Sequence, residues 1–284
     1  MKYIIVPFDF SDEAKNGIAL AKELAQDGPA TIQLVYVQPK EPDFGHVGLL
    51  DEQRIAEREF QRLVEDVKEG LSENVSVEFV IRKGKVYSEI VDQANQYEDS
   101  MIVTSTHGAS GVEEFFIGSN TLRILAATAK PVFTIRHGVV PQKFTNIIFP
   151  LDTSFESRQK APFAARLAKE WNAKVHILAV AKSTNDAVAN RLSEYAIQMD
   201  QYFTEHDVEH SMLLVGGEDL VEESLAQAML LSGSMIIIAS RDRNTLRIFM
   251  IGEKAQQLIR ESPVPVLVIA PNVEPIRDSF KTLG

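Results

Sequence analysis

The stretch "IIVPFDFSDEAKNGIALAKELA", residues 4–25, returns as "IIFPLDTSFESRQKAPFAARLA", residues 147–168, at a constant offset of 143. In that register Ile4, Pro7, Asp9 and Ser11 meet Ile147, Pro150, Asp152 and Ser154. Each copy opens with an apolar run of buried-strand length. A polar turn follows, then a segment whose apolar residues recur with helical spacing. A strand–turn–helix unit is thus present twice, and self-similarity at a fixed distance marks a duplicated domain.

The match continues outward. "LVYV" (34–37) meets "ILAV" (177–180) at the same offset. Further on the offset is 134: "SMIV" (100–103) meets "SMII" (234–237), Gly118 meets Gly252, and "KPVFTI" (130–135) meets "VPVLVI" (264–269). Copy two is therefore shorter in its middle. The expected domains are 1–138 and 144–284, joined by "HGVVPQK" (137–143), where Gly138 and Pro141 punctuate a short linker.

Copy one alternates strands and helices. "YIIVPF", "TIQLVYV", "VSVEFVIRKG", "SMIVTS" and "PVFTIR" have the length and composition of strands. The segments beginning at Ser11, Asp51, Val86 and Gly118 have helical periodicity, with Ser11 placed as an N-cap and Gly28 as a stop. This order predicts an α/β fold: two similar doubly wound, mainly parallel five-stranded sheets with helices on both faces. Ligands on such sheets sit beyond the carboxyl ends of the strands. Asp9, Val37 and residues 105–108 fall at such ends.

Composition narrows the function. The chain has 284 residues, 45% of them hydrophobic, no cysteine and a formal net charge of −11. The absence of cysteine excludes disulfides and thiolate metal sites and fits a reducing compartment. No basic stripe stands out, so neither nucleic acid nor an anionic membrane is expected as a partner. The opening "MKYIIVPFDF" is too short for a signal core or a membrane span, and the expected location is the cytoplasm. His206 and His210 are four apart, but Asp207-Val208 reads as a helix-to-strand junction, so no metal is expected.

The stretch "STHGASGVEEFFIGSN", residues 105–120, sits between an apolar strand and a helix. Gly108 and Gly118 allow close approach of backbone to a ligand. Gly118-Ser119-Asn120 opens the helix, whose free N–H groups and dipole form a potential anion site. The same three residues also suit plain helix capping, and both readings stay open. Likewise Asp9 serves either a ligand or the cap of the first helix.

With these residues in place, each copy resembles a universal stress protein domain, and the chain resembles the tandem members of that family. The ATP-binding branch of the family carries Gly-x-x-Gly-x9-Gly-Ser/Thr after the fourth strand. Here Gly108, Gly118 and Ser119 match, and Ser105 stands at the first glycine. The resemblance implies an adenine-nucleotide alpha-hydrolase-like fold and a stress-response regulatory or binding role. It also implies ATP or another adenine nucleotide held in copy one, with Asp9 near the nucleoside, the Val37 backbone at adenine, and Gly108, Gly118, Ser119 and Asn120 around the phosphates. It further implies an intrachain pseudo-dimer; any homodimer would use another surface.

In copy two, Ala239, Asp242 and Glu253 replace Ser105, Gly108 and Ser119. That copy is expected to bind no nucleotide, with the Glu253 carboxylate satisfying its own helix amides. Two alternatives remain. One is a nucleotide-dependent enzyme, a slow ATPase or a transferase, although no Walker lysine, nucleophile elbow or HExxH is present. The other is an interaction protein without nucleotide.

Overall fold

Apolar runs without alternation become the central strands of each copy, because a strand covered by helices on both faces must be apolar on both. The computed structural model describes residues 2–26, 28–38, 45–106, 117–181, 186–216, 219–243 and 248–270. The chain divides into two compact units, Met1–Val140 and Pro141–Gly284.

Unit 1 has five strands: β1 (Tyr3–Pro7), β2 (Ala30–Gln38), β3 (Val75–Lys83), β4 (Ser100–Ser105) and β5 (Val132–Ile135). They are parallel and lie in the order β3-β2-β1-β4-β5. β1 pairs with β2 from Tyr3↔Thr31 to Pro7↔Val35 and with β4 from Tyr3↔Ser100 to Ile5↔Ile102. Its Ile4, Ile5 and Val6 are buried. Four helices connect the strands: α1 (Asp12–Leu24), α2 (Gly45–Lys68), α3 (Val86–Asn95) and α4 (Ser119–Ala127). Parallel crossovers are right-handed, so α1 and α2 cover one face and α3 and α4 the other. Phe60 of α2 is fully buried and stacks on Phe79 of β3 at 5.1 Å, with Phe8 and Tyr36 beside it.

The strand order reverses between β1 and β4. Helices leave those two strands toward opposite faces, which opens a crevice at their carboxyl ends. Asp9 and Ser105 are at that crevice for this topological reason.

Unit 2 repeats the plan with β6 (Asn146–Leu151), β7 (Lys174–Ala181), β8 (His210–Gly216), β9 (Ser234–Ala239) and β12 (Val266–Ile269). Their order is β12-β9-β6-β7-β8, again parallel. Three features depart from the sequence reading. The helix equivalent to α1 is broken into α5 (Glu156–Gln159) and α6 (Ala161–Trp171). Pro162 has no N–H to continue the ladder, and Lys160 sits at the break. The segment after β9 forms a small antiparallel ribbon, β10 (Arg241–Arg243) with β11 (Ile248–Met250). In unit 1, α2 begins at Gly45, ahead of the Asp51 start that the periodicity suggests.

The remaining helices of unit 2 are α7 (Asp186–Glu205), α8 (Leu220–Leu230) and α9 (Glu253–Glu261). Asp207 and Val208 do lie between α7 and β8. His206 bonds the Tyr202 carbonyl at 2.7 Å, while His210 bonds Asp200 at 3.1 Å, so the two histidines have separate partners. Trp171 packs on Phe144 with ring centroids 5.2 Å apart.

Candidate functional site

The turn after β1 is built by its own side chains. An Asp9 carboxylate oxygen accepts from the Ser11 amide at 3.1 Å and from the Ser11 hydroxyl. The Ser11 hydroxyl oxygen in turn accepts from the Ala14 amide, capping α1. Unit 2 repeats this. Asp152 accepts from the Ser154 amide at 2.8 Å and from its hydroxyl, and Ser154 accepts from the Ser157 amide at 3.2 Å. The aspartate therefore has a structural task in both copies. Between Asp9 and Ser11, Phe10 takes φ 63°, a left-handed conformation that few non-glycine residues adopt.

Beyond the carboxyl ends of β1, β2 and β4 lies a cleft of about 390 Å³. Asp9, Val37, Ser105, Gly118, Ser119 and Asn120 all line it, with Ala14, Val35 and Ile124 among its apolar residues. Six of the seven residues singled out in the sequence are thus brought together. The seventh, Gly108, lies outside the described residues, as do His107, Phe115 and Phe116.

The N-terminus of α4 faces this cleft. Gly118 is its N-cap, with φ −54° and ψ 141° and no side-chain cap bond; among the described residues no side chain bonds the first-turn amides, and the first turn carries no acid. The capping chemistry open to Ser119 and Asn120 is not used, and both residues are exposed. Gly118 itself is held by its amide donating to the Thr106 carbonyl at 2.7 Å. Thr121 donates its hydroxyl to the Ser105 carbonyl at 2.9 Å, which ties α4 to the end of β4. Thr121 was not signalled by the sequence motif; its place one turn into the helix was the available hint. Asp9 is the one carboxylate among the described lining residues, which include neither lysine nor histidine.

The equivalent cleft of unit 2 is about 270 Å³. Asp152, Glu156 and Glu253 line it together with Lys160 and Lys254. Glu253 is the first residue of α9, whose N-cap Gly252 has no side-chain cap. The expected bond from Glu253 to its own helix amides is absent: the carboxylate sits in the first turn and acts through its charge alone.

At offset 143 Lys160 takes the place of Gly17. It is 3% exposed, donates to the Pro150 carbonyl, and lies 4.4 Å from the centroid of the Phe149 ring. Burial pushes its pKa down to about 7, against the opposing pull of Asp152. The signal that could have found it is a lysine set against glycine inside an otherwise apolar helix face.

Among the described residues, no group of three or more His, Cys, Asp or Glu side chains could hold a metal ion. No helix among them is long and apolar enough to cross a membrane.

The model of the Universal stress protein family matches residues 1–136 and again residues 143–270. The chain belongs to the universal stress protein family. Two matches in one chain make it a tandem member. A curated universal stress protein of Thermus aquaticus is 26% identical over 135 residues, 48% of this chain and 98% of that protein. One from Methanocaldococcus jannaschii is 27% identical over 142 residues, 48% of this chain and 82% of that protein. Among solved structures, a universal stress protein from Archaeoglobus fulgidus superposes with a TM-score of 0.75 at 19% identity, covering 95% of this chain and 98% of that one. At that identity the likeness establishes the fold. This tandem universal stress protein accordingly has the adenine-nucleotide alpha-hydrolase-like fold in both units.

Proposed function

We propose that this tandem universal stress protein is a stress-response regulatory protein that holds an adenine nucleotide in the cleft of unit 1 and none in that of unit 2. The observation that carries the reading is the uncapped, acid-free N-terminus of α4 facing the larger cleft. Free amides and the positive end of a helix dipole suit a phosphate group. Gly118, Ser119 and Asn120 take the phosphates, with Gly108 completing the loop. Ser105 lies beneath them, Asp9 meets the ribose, and the Val37 backbone meets the base.

The reading is one of binding and not of turnover. The described lining has no histidine or lysine to act as base or phosphate clamp, and Asp9 is already engaged by Ser11. The unit 2 cleft is smaller and has three carboxylates on its wall. A carboxylate at about 4 Å from a phosphate costs about 1 kcal/mol in water and about 4 kcal/mol at a partly buried site.

The test is calorimetric titration of the full chain with ATP. One site per chain is expected, and Gly118→Val should weaken it at least about 100-fold, or about 2.7 kcal/mol. Absence of binding by both the parent and Ser105→Gly removes the proposal. Two equivalent sites remove the asymmetry between the units.

A further inference from the structure

Lys160 is a buried amine with no part in nucleotide binding, and it faces a cleft of its own. The break between α5 and α6 directs it inward, where it reaches the Pro150 carbonyl under the wall formed by Asp152, Ser154 and Ser157. In unit 1 the corresponding Gly17 brings no side chain to this place, and a Cβ there would be in contact with Val6 at 3.4 Å, the Val103 carbonyl at 3.7 Å and the Ser105 amide at 3.9 Å.

We propose that the unit 2 cleft is a site for a small uncharged aldehyde or ketone, and that the Lys160 amine is the nucleophile that condenses with it. The charge balance of the wall selects the ligand class. With the Lys160 amine neutral, Asp152, Glu156 and Glu253 face Lys254 alone, which disfavours an anion, and the volume of about 270 Å³ restricts size. Desolvated lysines next to a cleft form Schiff bases because the neutral amine is accessible near neutral pH. Burial holds Lys160 at a pKa of about 7. An ordinary surface lysine is neutral in only about one molecule in three thousand at that pH.

The chemistry is closed within the pair of reactants. The amine lone pair attacks the carbonyl carbon, a C–N bond forms, and the carbonyl π pair moves to oxygen. The two amine protons leave with that oxygen as water, giving an imine. The Pro150 carbonyl accepts one amine N–H and orients the amine for the attack. Asp152, Glu156 and Glu253 are the acids that face the site, and Lys254 is the other cation.

The experiment treats the native full chain with propionaldehyde and sodium cyanoborohydride at pH 7, which reduces any imine to a propyl-amine. Peptide mapping by mass spectrometry then gives the rate at each lysine and at the amino terminus. The expected result is that Lys160 is alkylated at least tenfold faster than any other amine, with a rate that saturates as the aldehyde concentration rises. Lys160→Arg removes the fast phase and leaves the slow background unchanged. A Lys160 rate no higher than that of the other lysines, or one that rises linearly without saturation, overturns the proposal. The measurement on the unmutated chain stands whether or not the variant folds, and it is independent of ATP binding.

Discussion

The cleft of unit 1 and the cleft of unit 2 stand on the same turn, yet among the described residues one has a single charged residue on its wall and the other has five. In both, an aspartate beyond the first strand holds a serine whose hydroxyl oxygen accepts an amide from the first turn of the next helix. The differences begin one turn later. Gly17 brings no side chain to the end of β1 in unit 1, whereas Lys160 places an amine in the unit 2 cleft. The helix that opens at Gly118 has no acid in its first turn, whereas the one that opens at Gly252 has Glu253. Duplication therefore preserved the scaffold, while these two positions change the charged groups on the cleft wall.

The largest expected effect concerns the lysine. Its pKa in the folded chain, about 7, is below the ordinary value of 10.5. Below pH 7 it is protonated in both states, and the full cost of burying the ammonium is present. From pH 7 to about 10.5 the unfolded chain holds the proton that the folded chain has lost, so stability rises with pH. Lys160→Met lacks this term. Between pH 6.5 and 9.5 the stability advantage of Lys160→Met over the parent should shrink by about 3 kcal/mol in denaturant titrations. An advantage that stays constant would mean that the amine is not desolvated.

The comparison can also be broken by transplant. Gly17→Lys introduces into unit 1 the residue that unit 2 carries. A Cβ at Gly17 makes only ordinary contacts, so the backbone tolerates the change. Burying an ammonium there should lower stability by about 3 kcal/mol and abolish ATP binding in calorimetry. Retained binding would show that this position does not distinguish the clefts.

A smaller effect tests what the two units share. Ser11→Ala and Ser154→Ala should each cost about 1 kcal/mol, typical of a lost N-cap, as read by thermal unfolding. A marked inequality between them would mean that the shared turn has different duties in the two copies. The smallest effect is expected of Ser105→Gly, which restores the glycine typical of the nucleotide-binding branch. It should tighten ATP binding about threefold, or about 0.6 kcal/mol. Weaker binding would show that the Ser105 side chain helps to hold the ligand.

The sequence reading located the fold because periodicity and duplication are local signals that survive without tertiary context. The strands from Tyr3 to Pro7 and from Ser100 to Ser105 were legible as apolar runs. Of the candidate site, Asp9, Val37, Ser105, Gly118, Ser119 and Asn120 were legible because they mark element ends, and a doubly wound sheet gathers such ends. The antiparallel ribbon of β10 and β11 was not legible, since three-residue strands carry no usable period. Glu253 was misread as a cap because spacing alone does not fix which way a carboxylate turns.

By itself, the sequence determined that the chain is a duplicated α/β domain and which residues end its strands, since hydrophobic period and turn chemistry are written along the chain. Only the tertiary structure decided that α4 presents uncapped amides to a cleft and that Lys160 is driven into the interior of unit 2. Both depend on what packs opposite a residue: the Pro150 carbonyl and the Phe149 ring that surround the amine are about ten residues away in the chain. Their proximity comes from the helix folding back over the strand, and the desolvation that changes the amine's chemistry arises only when that packing is complete.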